Sequence, residues 1–438
     1  MELKKFADYK DSGVEWIGEM PSSWEVNRLK TRLKERKEKN SPEQTDFILS
    51  LTNTDGVIPY EEKGEKGNKA KEDLSDYMLA YPGDIVLNSM NVVIGSVGLS
   101  SYFGAISPVY YALSLRDKDE DIRYYNYVFQ SPIMQNELKG LGNGILDIRM
   151  RIPMSKLNNV MLPVPSPEEM REISNYLDEK TAEINNLIDL NERYINLLEE
   201  YRKSVISEAV TKGIDSSATM KDSGVEWIGN VPSSWNKSRT SEACNRPIGY
   251  GIIKLGDYPE DKGVPVFRCS NVREGHLDLT GIREVKKELS DDYKRTILKG
   301  GEVLINVRGT LGGCALVPES CAGYNIAREV AMVDVKETIS SRFIMYYLLS
   351  NGFWDYLNSN LAGSVYQGLN IELLGKACIF LPPTKKEQED ISDYLEENVG
   401  YLNQIIQLKR EEVELLQECR KSIISEVVTG KFKVPEVG

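Results

Sequence analysis

The sequence predicts an α+β protein: two mixed α/β domains joined by two long antiparallel coiled-coil helices with pseudo-two-fold symmetry. Three observations predict it. Residues 10–24, KDSGVEWIGEMPSSW, return as residues 221–235, KDSGVEWIGNVPSSW, with 13 of 15 positions identical at an offset of 211. Residues 202–211, RKSVISEAVT, return as residues 420–429, RKSIISEVVT, with 8 of 10 identical at an offset of 218. Ahead of each closing motif runs a long segment whose apolar residues step by four and three. A period above 200 residues is far too long for a solenoid, so whole domains and their connecting segments are duplicated.

Between the matching ends the two halves diverge. Residues 41–80 and 241–300 share little beyond scattered apolar positions. Their architecture still corresponds. Residues 82–88, PGDIVLN, and 300–306, GGEVLIN, read as matching strands after tight turns. Glycine-bearing stretches follow at 91–98 and 309–313, then aromatic-rich helical segments at 122–138 and 341–357. Equivalent scaffolds with different surfaces are what two readers of two different targets require.

Proline-rich junctions, LPVPSPEE at 162–169 and LPPTKKEQ at 381–388, introduce the long helices, because proline sets the entry angle and cannot continue a preceding element. One seam runs Leu177, Thr181, Ile184, Ile188, Asn191, Ile195, Leu198, Arg202, Val205. Its counterpart runs Leu395, Val399, Leu402, Ile406, Lys409, Val413, Leu416, Arg420, Ile423. Both keep the 3.5-residue period of a coiled coil, and Asn191 and Lys409 interrupt them at equivalent places. A helix of about 40 residues is a rod of roughly 60 Å whose lone stripe would face water, so the two copies are expected to pack on each other. The expected boundaries are residues 1–164 and 214–382 for the domains, 165–213 and 383–431 for the helices, and 432–438 for a tail.

Composition narrows the class. With 438 residues, 41% hydrophobic and 28% charged, the chain has material for two or three cored domains. No stretch approaches the roughly 18–20 apolar residues that cross a bilayer, and the opening MELKKFADYKDSG lacks the apolar region of a secretory signal. A cytoplasmic protein with no membrane partner is expected. Six cysteines, all in the second half, show no CxxC pairing, and the single histidine, His276, excludes most imidazole chemistry, so no metal site is expected. The net charge of −13 argues at first against nucleic acid. Residues 168–212 and 386–431, however, each hold 11 acids and 6 bases, which is −10 of the −13, and leave the rest near balance.

No catalytic constellation is present. The sequence has no GxxxxGK[ST] loop, no HExxH, no GxSxG elbow and no strand-placed GxGxxG. Nor does it have the Asp/Asn-Pro-Pro-aromatic tetrapeptide of amino-methylating DNA methyltransferases, so neither catalytic nor cofactor-binding residues are assigned. The reading elements sit in the divergent middles. In the second half Arg268, Asn271 and Arg273 crowd into FRCSNVREGH, and Arg308 and Thr310 follow a strand. In the first half Asn53, Lys63, Lys66 and Lys69 flank a turn, with Asn88 and Asn91 after the matching strand. Arginine offers a fork to guanine and asparagine to adenine, while lysine meets phosphate without reading sequence. The repeated Trp16, Trp24, Trp227 and Trp235 are expected to pin the chain against the helices or core.

The ordered set, GVEWIG…P..W, a variable region, an LP.P junction, a long helix ending in RKS.I.E.VT, and then all of it again, resembles the specificity subunit of type I restriction-modification systems. The resemblance spans essentially the whole chain. One local departure is Glu168-Glu169-Met170 set against Glu387-Gln388-Glu389. It implies a non-catalytic subunit whose two target-recognition domains each read one half of a bipartite double-stranded DNA site, with the helices setting the gap. Two methyltransferase subunits would dock along it and restriction/translocase subunits would join. S-adenosylmethionine, ATP and Mg would belong to those partners. The alternatives that the residues leave open are a non-enzymatic protein–protein scaffold with two binding heads and a self-contained DNA-modifying enzyme.

Overall fold

The computed structural model describes residues 4–53, 55–64, 69–142, 151–259, 261–361 and 368–435. The chain is mixed helix and sheet and divides into two compact units, residues 1–191 with 411–438, and residues 192–410.

In the first unit β1 (Leu33–Arg36), β2 (Ile85–Asn88), β3 (Val97–Leu99) and β4 (Tyr110–Leu115) form an antiparallel sheet in the order β1-β4-β2-β3. Two helices follow, α1 (Ile122–Gln130) and α2 (Pro132–Lys139). Asp121 caps the first by accepting from the Arg123 N–H, and Ser131 caps the second with Pro132 at its first position. The long helix α3 (Pro167–Lys212) comes next.

The second unit repeats this plan. Its strands β5 (Gly249–Tyr250), β6 (Val303–Asn306), β7 (Cys314–Leu316) and β8 (Val330–Val333) lie in the equivalent order β5-β8-β6-β7, also antiparallel. Helices α4 (Ser341–Leu349) and α5 (Asn351–Leu361) precede the second long helix, α6 (Lys385–Val428). The strands expected from sequence are therefore present in both halves, and each expected helical segment, 122–138 and 341–357, is a pair of helices divided at Ser131 and Ser350.

Each sheet is buried on both faces, which explains the unbroken apolar runs IVL and VLI. Ile85 and Leu87 join the core that holds Trp24, while Val86 points the other way into a cluster with Leu49, Leu51 and Val57. Val303 and Ile305 likewise join the Trp235 core, and Leu304 packs with Phe267 and Met332. The divergent segments thus cover the sheet face turned away from the tryptophan cores.

A short strand after each tryptophan motif pairs with the strand leading into the proline junction. Glu25–Arg28 lies antiparallel to Met161–Val164, and Asn236–Arg239 to Cys378–Leu381. The chain therefore enters and leaves each domain side by side.

All eighteen predicted seam positions are buried or half-buried. In the first unit Met170, Ile173 and Leu177 share a core with Ile424, Val427 and Val428, and Arg420 bonds to Asn185. In the second, Arg410 pairs with Glu199 at 2.7 Å and Arg202 donates to Asn403 at 2.6 Å. Numbers rising on one helix meet numbers falling on the other, so within each unit the segments run antiparallel. The buried Asn191 donates its amide to the Leu187 carbonyl at 3.0 Å, and Lys409 lies 5.9 Å from the Tyr194 ring centroid.

The junctions correct one alignment made from sequence. Ser166 and Glu169 form a reciprocal cap at the start of α3: the Glu169 N–H donates to Ser166 Oγ, and Ser166 N–H and Oγ–H both reach Glu169 Oε2. At α6 the Glu387 N–H donates to Thr384 Oγ1. Glu169 therefore matches Glu387, and Met170 matches Gln388, not Glu389. Met170 fills core volume, whereas the buried Gln388 accepts from the Ser340 N–H and donates to the Pro382 carbonyl.

Candidate nucleic-acid interface

The two units carry the same supports for different surfaces. Trp24 is fully buried and donates its indole N–H to Glu169 Oε1 at 3.3 Å; Trp235 is 1% accessible and donates to Glu387 Oε1 at 2.9 Å. Burying an indole of this size contributes on the order of 4–6 kcal/mol of transfer free energy. Each ring also meets the turn after a long helix: Gly430, just past α6, approaches Trp24, and Gly213, just past α3, approaches Trp235. The anchoring expected of these two tryptophans is thus their observed position. Trp16 is half-buried against the core, and Trp227 is partly exposed beside Tyr356.

A second shared feature escaped the sequence reading. Arg123 donates to Asp178 Oδ2 and Asp121 Oδ2, each at 2.6 Å, and Tyr127 donates to Asp178 Oδ1 at 2.7 Å. In the other unit Arg342 reaches Asp393 at 2.7 Å and Glu396 at 2.9 Å. Burial, then the Glu396 charge, pushes the Tyr346 hydroxyl up to about 12. These groups brace α1 against α3, and α4 against α6. Arg123, Tyr127 and Asp178 line a cleft of about 350 Å³ with Asn185 and Arg420, and Arg342, Tyr346 and Glu396 line one of about 620 Å³ with Asn403 and Arg202. The signal was present as Arg-x-x-x-Tyr at 123–127 and 342–346, inside otherwise divergent text.

The predicted reading residues separate into exposed groups and loop ties. Arg273, Arg308 and Thr310 are exposed, and Arg268 is half-buried with Nη2 on the Gly281 carbonyl at 3.3 Å. Asn271 is 2% accessible: its Oδ1 accepts from the Arg268 N–H, and its amide donates to the carbonyls of Asp278 and Thr280. It holds the loop and does not present itself to solvent. The Asn306 amide, which sequence reasoning passed over, lies 3.1 Å from each of the carbonyls of Cys269, Val272 and Thr310, bringing the two arginine-bearing loops together.

In the first unit Asn53 and Lys69 are exposed, and Lys63 closes the short turn Tyr60–Lys63 with its Nζ 4.8 Å from the Tyr60 ring. Asn88, matching Asn306, is buried and accepts from the Met90 N–H at 2.9 Å, so it too serves its own loop. Asn91 is half-buried at the start of the turn Val92–Ile94. Lys66 lies outside the described residues.

A different surface follows the long helices. Leu187, Leu190 and Leu197 on α3, and Ile405, Leu408 and Leu415 on α6, are exposed by 40–65% and match pairwise at the offset of 218. They form a second apolar stripe, apart from the seam, on each helix. Among the described residues no cluster of three or more His, Cys, Asp or Glu could hold a metal ion, and no helix is long and apolar enough to cross a membrane.

Comparison with known proteins agrees with this arrangement. Residues 232–415 match the family described as type I restriction modification DNA specificity domain. The chain is 25% identical over 283 residues to the type I restriction enzyme EcoBI specificity subunit of Escherichia coli, covering 63% of this chain and 59% of that protein, less than two thirds of its length. It is 22% identical over 433 residues to the type I restriction enzyme MjaVIII specificity subunit of Methanocaldococcus jannaschii, covering 95% of this chain and 94% of that one. A solved chain from work on complex assembly and conformational transition of the type I R-M system shares the fold with a TM-score of 0.68 at 15% identity, over 93% of this chain and 98% of that chain. The HsdS subunit from Thermoanaerobacter tengcongensis shares it at 0.51 and 16%, over 94% and 98%. With a specificity domain matched over residues 232–415, a relative aligned nearly end to end and a duplicated frame that carries two unlike surfaces, the chain resembles type I restriction-modification specificity subunits along nearly its whole length.

Proposed function

We propose that this chain is the DNA sequence-specificity subunit of a type I restriction-modification complex. Residues 1–164 and 214–382 act as two target-recognition domains, and each reads one half of a bipartite duplex site. The helices, residues 165–213 and 383–431, form an antiparallel spacer of pseudo-two-fold symmetry that sets the gap. Two modules on one duplex face would sit about one helical turn, roughly 34–36 Å, apart. The chain performs no chemistry: methyltransferase subunits with S-adenosylmethionine, and restriction/translocase subunits with ATP and Mg, act on the site it selects in the cytoplasm.

The observation that carries this reading is the equivalence of the two sheets, β1-β4-β2-β3 and β5-β8-β6-β7, under coverings of unrelated sequence. Among the candidate contacts, Asn53, Lys69, Arg273, Arg308 and Thr310 have the exposure that DNA contact needs. The outward stripes on α3 and α6 supply two matching apolar surfaces for two copies of one partner, which suits the methyltransferase subunits.

Domain exchange tests it. Replacing residues 25–160 with the corresponding segment of a related subunit should change one half of the methylated site and leave the other unchanged. Simultaneous change of both halves would refute modular reading, and absence of any preferred duplex would favour a protein scaffold.

A further inference from the structure

Some arginines of the second unit are tied into ion pairs, and others, Arg193 and Arg295 among them, are exposed without one among the described residues. Arg202, Arg246, Arg273, Arg342 and Arg410 each reach a carboxylate. Arg308 and Arg328 are exposed and have no acidic partner among the described residues. The sheet register brings these two together. Asn306 ends β6 opposite Val330, which begins β8, so Arg308 just beyond one strand and Arg328 just before the other emerge at the same edge. The N–H groups of Val307 and Arg308 both donate to the Glu329 carbonyl, at 2.8 and 3.2 Å, and the Arg328 N–H donates to the Ile252 carbonyl at 2.9 Å.

Arg308 is held ready. Its Cγ lies 3.4 Å from where a Cβ on Gly368 would stand, and its guanidinium carbon is 5.9 Å from the centroid of the Tyr250 ring on β5. A planar cation steadied on an aromatic face keeps its donors for a ligand and loses little freedom on binding.

The same edge exists in the first unit with the donor transposed. The Leu369 N–H donates to the Val307 carbonyl at 2.7 Å, and the Ile152 N–H donates to the Ser89 carbonyl at 2.9 Å. Because Asn88 matches Asn306, Ser89 matches Val307, so Met90 stands where Arg308 does and Arg151 stands where Gly368 does. Arg151 is exposed, has no acidic partner among the described residues, and shares a shallow depression with Tyr111. The second unit therefore sets Arg308, Arg328 and Tyr250 at this edge and the first sets Arg151 and Tyr111, with Arg308 and Arg151 on opposite sides of the junction.

We propose that this edge is the base-reading surface of each domain, with Arg308, flanked by Arg328, reading one half-site and Arg151 reading the other. Arginine makes a bidentate contact with guanine O6 and N7, and moving it across the junction shifts the base it meets without altering the frame. The proposal deepens the specificity-subunit reading and rests on it.

The test uses the complex with its methyltransferase subunits and a duplex library randomised in both half-sites, scored by methylation. Arg308→Ala should relax preference at one or two positions of a single half-site by about 5- to 150-fold and leave the other half unchanged. Arg308→Lys, which keeps the charge but loses the fork, should relax the same positions. Arg151→Ala should act on the other half alone, and Arg295→Ala, an exposed arginine elsewhere in the second unit, should leave both preferences intact. A loss spread evenly over all sequences, relaxation of both halves by one variant, or full rescue by lysine would overturn the assignment while leaving the parent reading in place. A wild-type complex with no bipartite preference would instead bring down the parent reading, and this inference with it.

Discussion

Trp235 donates its indole N–H to Glu387 at 2.9 Å, joining the opening motif of the second half to the first turn of its long helix, 152 residues later in the chain. The first half makes the same bond between Trp24 and Glu169. Each carboxylate lies in the first turn of its helix, where its charge also suits the helix dipole. Sequence motifs that stand far apart are thus two sides of one joint.

That joint should be measurable. Glu387→Gln and Glu169→Gln are each expected to cost about 1–2 kcal/mol by weakening a charge-assisted hydrogen bond, and Trp235→Ala about 3–5 kcal/mol by opening a cavity. Denaturant unfolding of the purified chain reads both. Equal stability of Trp235→Ala and wild type would show that the indole is not an anchor.

Gly430 turns the chain after α6 at φ +71°, and a Cβ there would fall 2.3 Å from Pro21 Cδ. Gly83 has a comparable φ of +86° with open space around it. Gly83→Ala should therefore cost only the backbone strain, about 1–2 kcal/mol, and Gly430→Ala should add an overpacking cost of about 1–3 kcal/mol. Similar melting temperatures for the two variants would contradict the close approach.

The two stripes on the helices predict opposite phenotypes. Ile188→Ala and Ile406→Ala, on the buried seam, should destabilise the chain by about 2–5 kcal/mol each. Leu190→Ser and Leu408→Ser, on the exposed stripe, should change stability by no more than about 0.5 kcal/mol yet reduce co-purification with the methyltransferase subunit. Undiminished co-purification by the serine pair would remove the exposed stripe as the docking surface.

Thiol chemistry offers a probe of burial. Cys419 is exposed, whereas Cys314 and Cys244 are buried; burial, then the Asp334 charge, pushes the Cys244 thiol up to about 11. A raised thiol value means less thiolate at a given pH, so at pH 8 only about one Cys244 in a thousand is reactive. A disulfide reagent at pH 8 should modify Cys419 first and Cys244 only on unfolding, followed by mass spectrometry of the peptides. Modification of Cys244 at the rate of Cys419 would show that this core opens readily.

The sequence by itself determined what depends on local periodicity and on repetition: two long helices, a seam that steps by four and three, matching strands at 85–88 and 303–306, and the pinning role of Trp24 and Trp235. Each of these is written in spacing or in a motif stated twice. Tertiary structure decided what depends on partners distant along the chain. It set Glu169 against Glu387, because only the indole contacts reveal which glutamates correspond. It withdrew Asn271 and Asn88 to the inside of their own loops, because an amide is drawn to any nearby backbone carbonyl or N–H that folding leaves without a partner. It also brought Arg308 beside Arg328, and Arg151 to the matching edge of the other unit, a proximity that exists only once antiparallel strands have chosen their register.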